Sequence, residues 1–317
     1  MEIITCDFET YYDRDYSLSK MQTDEYVLDD RYQTIMVCLI DGDGKETVMV
    51  GAEDDLRREL QSYRDWSQVA VRCHNTLFDG FILTQRYGIK PKLWMDTLSQ
   101  SRMIFPYLHS HSLANTARHM DIGEKGTTVV NMMGKRLEDM DPSDIGEYAT
   151  YCVQDTRLCK QMGEHFDKFT PPLEARLIDM TIRMFTEPQL VGDIDLMRNL
   201  YDTEVARKEG LLALAKLDKS ELMSANKFAA RLENLGVTPP TKISPRTGKQ
   251  TFAFARTDRA FTALQEHENP EVQALVAARI GAKTTIAETR ALRFYEMAQR
   301  GPLPVYLSFW GAKTTGR

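Results

Sequence analysis

Nowhere in the 317 residues do 18 apolar residues run together, and a helix needs about 20 to cross a bilayer. No transmembrane span is expected. The opening MEIITCDFET has acids where a secretory leader needs a basic and then an apolar segment, so a soluble, non-exported, cytoplasmic protein is expected. Cysteine is sparse: Cys6, Cys38, Cys73, Cys152 and Cys159 are odd in number and form no CxxC pair. That pattern points away from a disulfide framework and from a zinc ribbon, and towards a reducing compartment. His74, His109 and His111 have no partner ligands at zinc spacing and read as surface or capping residues. Basic excess is also absent, since 40 Lys+Arg stand against 46 Asp+Glu for a net charge of −6. Bulk charge therefore does not drive nucleic-acid coating.

What is present is ordinary globular composition, 42% hydrophobic and 27% charged. The length allows two domains, because single cores stop growing near roughly 250 to 300 residues. Charge is divided unevenly. Residues 1–170 hold 19 Lys+Arg against 29 Asp+Glu, and residues 171–317 hold 21 against 17. An acidic half can hold divalent cations and a basic half phosphate, although solvated surface charge explains the same numbers.

Period-two or apolar β-rich runs at Glu2–Phe8, Tyr32–Ile40, Thr47–Val50, Val69–His74 and Leu93–Asp96 predict one sheet, with a turn at Gly42-Asp43-Gly44. Helical spacing appears at Asp54–Tyr63, Leu77–Tyr87, Leu113–Met120 and Ser143–Phe169, the last opened by an Asp141-Pro142 start signal. The first 170 residues thus read as an α/β layer structure. Pro171-Pro172 marks the expected boundary. Beyond it almost only helices are predicted, at Glu174–Phe185, Leu196–Leu217, Ala225–Leu235, Arg259–His267 and Glu271–Arg300. A polar loop from Val237 to Gln250 interrupts them and carries Lys242, Arg246 and Lys249 with no acid close in sequence. Val305–Trp310 turns β-like again, and the chain then reads as ending inside a domain.

Three stretches carry possible chemistry. In IITCDFET, Asp7 and Glu9 are two apart and share one face of a strand. A solvated strand edge is the plain alternative. In His74-Asn75-Thr76-Leu77-Phe78-Asp79, an apolar strand gives way to a helix with Asp79 in its first turn. Asn75 could cap that helix, and capping alone would explain both polar residues. On the long helix, Tyr151 and Asp155 are four apart and stack on one face. Four clustered carboxylates would repel one another, but two divalent cations would cancel their formal charge. An all-oxygen set suits Mg²⁺ or Mn²⁺. Such ion pairs serve phosphodiester hydrolysis.

CDFET, NTLFD and YCVQD, in this order and at these separations, resemble the three motifs of DEDD exonucleases with a tyrosine in the last motif. WMDTLSQSR, HSLANTARHM with the following GEKG, and EYATYCVQDTRL extend the resemblance to the exonuclease domain of family A DNA polymerases, bacteriophage type. It covers residues 1–170. The resemblance implies an RNase H-like fold and 3′-to-5′ hydrolysis at a frayed DNA end. It further implies that Asp7, Glu9, Asp79 and Asp155 ligate two metal ions, that Tyr151 orients the attacking water, and that Asn75 and Phe78 support them.

MSANKFAARLENLGV, PPTKISPRTGKQTFAFARTDRAF and PEVQALVAARIGAKTTIAETR are similar to the thumb of the same polymerases, which gives residues 171–304 the role of a helical DNA-contacting region. Lys242, Arg246, Lys249, Arg256, Arg259, Lys283, Arg290 and Arg293 are the candidate phosphate contacts. YLSFWGAKTTGR resembles the first strand of the palm, with Lys313 where histidine is usual, so 305–317 is expected to begin that domain. The carboxylates of nucleotide transfer would lie beyond Arg317. The expected function is the proofreading exonuclease part of a polymerase, partnered by DNA and by the palm and fingers. A DNA- or partner-binding fragment with little hydrolytic activity is the alternative, and a stand-alone RNA exonuclease a third reading.

Overall fold

The computed structural model describes residues 1–126, 131–215, 218–283 and 286–312, with the side chains of Lys219, Ala282, Lys283 and Ile286 left aside. Two compact units form. Met1–Leu190 with the segment from Leu303 makes one, and Val191–Pro302 the other.

The first unit is built on a five-stranded mixed sheet of order β3-β2-β1-β4-β5. Its strands are β1 (Ile3–Thr10), β2 (Thr34–Ile40), β3 (Glu46–Val50), β4 (Ala70–Cys73) and β5 (Leu93–Asp96). β2 runs antiparallel to β1 and β3, whereas β4 runs parallel to β1 and to β5. The Gly42-Asp43-Gly44 turn closes the β2-β3 hairpin, with Gly44 at φ +85, where a side chain is strained. The helices are α1 (Thr23–Leu28), α2 (Glu53–Tyr63), α3 (Thr76–Gln85), α4 (Thr97–Ile104), α5 (Leu113–Met120), α6 (Pro142–Phe166) and α7 (Pro172–Thr186).

Alternation along β1 sorts its side chains between two cores. Ile4, Cys6 and Phe8 join Phe81, Ile82 and Leu83 of α3 and Ile178, Ile182 and Phe185 of α7. Cys38 and Ile40 of β2 face the other way, against Tyr148, Tyr151 and Cys152 of α6. Every residue of β2 is buried, as expected of a strand covered on both faces. Because α7 belongs to the first core, the first unit continues past Pro171-Pro172 to Leu190.

The second unit contains α8 (Ile194–Ala215), α9 (Lys219–Met223), α10 (Ala225–Asn234), β6 (Thr241–Ile243), β7 (Gln250–Phe252), α11 (Arg259–Thr262), α12 (Pro270–Lys283) and α13 (Ile286–Arg300). Phe228, Phe254, Phe261, Leu275 and Val276 centre its core. Two expectations are corrected. The polar loop holds a hairpin, β6-β7, whose three-residue strands are too short and too exposed to show alternation. Glu271–Arg300 is helical to Lys283 and again from Ile286, as expected, with 284–285 outside the described residues. Val305–Trp310 is no strand: a bridge from Leu303 to Leu190, the Val305 amide on the Met184 carbonyl (3.0 Å), and Tyr306 against Phe185 and Asp24 tie the segment down. Pro302 and Pro304 remove donors a ladder would need. Lys313 lies outside the described residues. Among the described residues no helix is long and apolar enough to cross a membrane.

Candidate active site

Asp7 and Glu9 sit near the C-terminal end of β1, opposite Cys38 and Met36 of β2, with an irregularity in register just after Glu9. Since Cys6 and Phe8 take the α3 face, Asp7 and Glu9 take the α6 face. The Cys152 sulfur lies 3.6 Å from the Asp7 carbonyl and 3.9 Å from its Oδ2. Asp7, Glu9 and Cys152 each place a ligand atom within 4.8 Å of the others, and among the described residues they are the one such group.

Asp79 arrives from the opposite side of the sheet. It is 2% exposed in the first turn of α3, and its Oδ1 accepts the Phe8 N–H at 3.1 Å, which ties it to the strand segment between Asp7 and Glu9. The start of α3 is fixed by a residue the sequence did not single out. Asn75 occupies the cap position in left-handed geometry (φ 71), but its side chain makes no cap bond, so its expected capping role is corrected. Asp96, at the end of β5, takes that role: Oδ1 accepts from the Asn75 and Thr76 amides at 2.9 and 3.0 Å, and Oδ2 from the Ser99 amide at 2.9 Å. One carboxylate thus caps α3 and α4 together. Its signal was present in the WMDT sequence, an aspartate between a strand and a helix.

α6 supplies the third wall. Asp141 accepts the Ser143 and Asp144 amides at 2.8 Å each and Pro142 takes the first turn, as its sequence predicts. Spacing of three and four then turns Tyr148, Tyr151, Cys152 and Asp155 to the sheet, all buried. The Tyr148 hydroxyl lies beside Glu9 and the Tyr151 hydroxyl beside Asp155. Tyr148 was legible only as Tyr151's neighbour one turn back. Lys125, in the GEKG segment, places Nζ 2.5 Å from Asp155 Oδ2 and 5.2 Å from the Tyr151 ring centre.

The electrostatics are those of anions short of counter-charge. Burial, then the charge of Asp155, pushes the Asp7 carboxyl up to about 7. Burial and the charge of Asp7 likewise raise Glu9 and Asp79, partly opposed by the Tyr148 hydroxyl and the Phe8 amide. Burial raises Asp155 against the pull of Lys125 and Tyr151. Both phenols are pushed up, by burial and by neighbouring carboxylates, and stay protonated. The Oδ1 of Asp155 is buried without a hydrogen-bond partner. A hard divalent cation with oxygen ligands would relieve both the repulsion and that orphaned oxygen, so the residues fit such an ion.

Phe78 borders a cleft of about 270 Å³ with Phe8, Glu9, Thr10, Tyr12, Leu18, Tyr26 and Tyr148. Asn75 is exposed. His74 is half-buried and bonded: Nε2 donates to the His111 carbonyl (3.1 Å), Nδ1 accepts from Thr97 (2.9 Å), and burial takes its pKa down to about 4. In the second unit, Arg246 and Lys249 are exposed on the β6-β7 hairpin, and Arg256, Arg259, Arg290 and Arg293 are exposed beyond it. Lys242 has an acid nearby after all, pairing with Asp258 at 2.7 Å, because the hairpin folds back on the start of α11. The Lys283 side chain lies outside the described residues.

No protein-family profile and no curated protein matches the chain. Among solved structures, the POL domain of Pol1 from M. smegmatis, in complex with DNA primer-template and dNTP, superposes at TM-score 0.51 and 13% identity. The match covers 94% of this chain and 46% of that one, so the chain spans less than half of that polymerase's length. At such identity the likeness is one of fold. With the five-stranded mixed sheet and its flanking helices, it decides the architecture. The first unit has the RNase H-like exonuclease fold. Brucella melitensis NrnC (TM-score 0.40, 16% identity, 57% of this chain and 81% of that one) is also similar. So is the catalytic core of RRP6 from Trypanosoma brucei (0.39, 15%, 94% and 73%). In this fold Asp7 and Glu9 lie at the end of the central strand, which α3 meets through Asp79 and α6 through Cys152.

Proposed function

We propose that the chain is a divalent-metal-dependent 3′-to-5′ exonuclease acting on DNA ends, the proofreading and thumb portion of a family A DNA polymerase of bacteriophage type. What supports this reading is the close pair Asp7 and Glu9 on β1, Asp79 of α3 tied to the Phe8 amide between them, and Asp155 of α6, whose charge acts on Asp7 and one of whose oxygens is buried and unpartnered. Asp7, Glu9, Asp79 and Asp155 would hold two Mg²⁺ or Mn²⁺ ions. When bound, such ions supply an activated water and stabilise the leaving oxygen of a phosphodiester.

The chain's own residues do the rest. The Phe8 amide fixes Asp79, so that carboxylate does not have to be reoriented, and the Tyr148 hydroxyl stands beside Glu9. Tyr151 keeps its proton and offers its hydroxyl beside Asp155, where it can orient the attacking water. The cleft beside Glu9, walled by Phe8, Tyr12, Leu18 and Phe78, is shaped for a terminal nucleoside, its rings giving a base something to stack on. Asn75 stands exposed at the start of α3, where a nucleic-acid strand can meet it. Exposed Arg246, Lys249, Arg256, Arg259 and Arg290, with Lys242 and Lys283, would neutralise DNA phosphates, and the palm and fingers would be supplied by a further polymerase portion. Five free, buried cysteines suit the reducing cytoplasm.

The test is direct. A 5′-labelled single strand incubated with the chain and Mg²⁺ should shorten stepwise from its 3′ end, and EDTA or Asp7→Ala should abolish the ladder. No ladder from folded protein removes the enzymatic reading. RNA degraded in preference to DNA removes the polymerase assignment.

A further inference from the structure

Among the described residues, the cation beside Asp155 is an ammonium. Lys125 Nζ stands 2.5 Å from Asp155 Oδ2 and 5.2 Å from the centre of the Tyr151 ring. Its segment is held close: a side chain at Gly126 would meet the Tyr151 ring at 3.0 Å, and Gly123 turns the chain at φ +138. Asp155 itself is 2% exposed, and its other oxygen is unpartnered. We infer that Lys125 is an internal cation that fills the place of the divalent ion at Asp155 and must leave Asp155 for the metal to bind there.

Charge counting supports the exchange. Fully ionised, as a metal needs them, Asp7, Glu9, Asp79 and Asp155 would carry four formal negative charges, of which Lys125 offsets one. Two divalent ions would cancel all four carboxylates and leave the Lys125 charge in surplus, facing a dication across a few ångströms of low-dielectric interior. An ammonium on Oδ2 and a dication on Oδ1 would repel across a single buried carboxylate, so the lysine yields. A lysine that served packing alone would behave differently, because its loss would loosen the site and weaken metal binding.

This rests on the metal-site reading above, and the experiment separates the two. Mn²⁺ binding to the full chain is measured by titration calorimetry at low salt, without DNA. Lys125→Met is expected to bind Mn²⁺ about tenfold more tightly than wild type, the size of effect that one modest ion pair commands. Lys125→Arg, which keeps the competing charge, should stay within about twofold of wild type on the same scale. Folded Lys125→Met with unchanged or weakened Mn²⁺ affinity overturns the inference while leaving the metal site standing. A wild type that takes up no Mn²⁺, and behaves as Asp155→Asn does, overturns both.

Discussion

At the scale of single residues, Asp7 and Tyr151 make opposite demands on protons. The Asp7 carboxyl moves from its ordinary 3.8 up to about 7, through burial first and the Asp155 charge second. In the metal-free protein the folded state therefore holds a proton that the unfolded chain releases near pH 4. Its stabilising contribution is complete below that pH and is lost as pH rises through about 7. The melting temperature of the metal-free chain should fall between pH 5 and pH 8, and Asp7→Asn should fall less. Equal slopes would show that Asp7 does not titrate there. Added Mg²⁺ should stabilise more at pH 8 than at pH 5, because the ion needs the carboxylates charged. Tyr151 must instead keep its proton. Tyr151→Phe should lower the cleavage rate about a hundredfold, the cost of a misplaced nucleophile, with Mn²⁺ affinity unchanged. An undiminished rate would reduce the tyrosine to packing.

At the scale of elements, the site depends on how α3 begins. Asp96 accepts amides at the starts of both α3 and α4, and Asp79 lies in the first turn of α3. Each cap is worth about 1 kcal/mol, so Asp96→Ala should cost about 2 kcal/mol in urea unfolding and also slow cleavage by displacing Asp79. Loss of stability with full activity would uncouple the cap from the site. This element also shows what a sequence can disclose. Period two along β1 and a step of four along α6 are properties of local geometry, so Asp7 with Glu9, and Tyr151 with Asp155, were legible in the sequence. The cap of α3 comes from 21 residues downstream of Asn75, and Lys125 reaches Asp155 across 30 residues. Neither follows from a local period. The β6-β7 hairpin escaped for another reason: six strand residues, five of them exposed, bury too little to impose alternation.

At the scale of the whole molecule, two separately packed cores divide the work. The carboxylates and their supporting rings belong to the first, whereas the exposed basic residues belong to the second, around Phe228, Phe254 and Phe261. Phosphate binding and metal binding should therefore be separable. Replacing Arg246, Lys249 and Arg256 with alanine should weaken binding of a long single strand and reduce the slope of log K against log salt by about 0.7 for each phosphate left without its cation, with Mn²⁺ affinity untouched. A ligand that binds one folded core stabilises that core alone, by about 2.7 kcal/mol at a hundredfold excess over its dissociation constant. Calorimetric melting should then resolve two transitions, of which Mg²⁺ raises only one. Asp7→Ala should abolish that rise and leave the other transition in place. A single transition that Mg²⁺ shifts whole would mean that the two cores unfold as one body, and that the basic second unit is energetically part of the metal site.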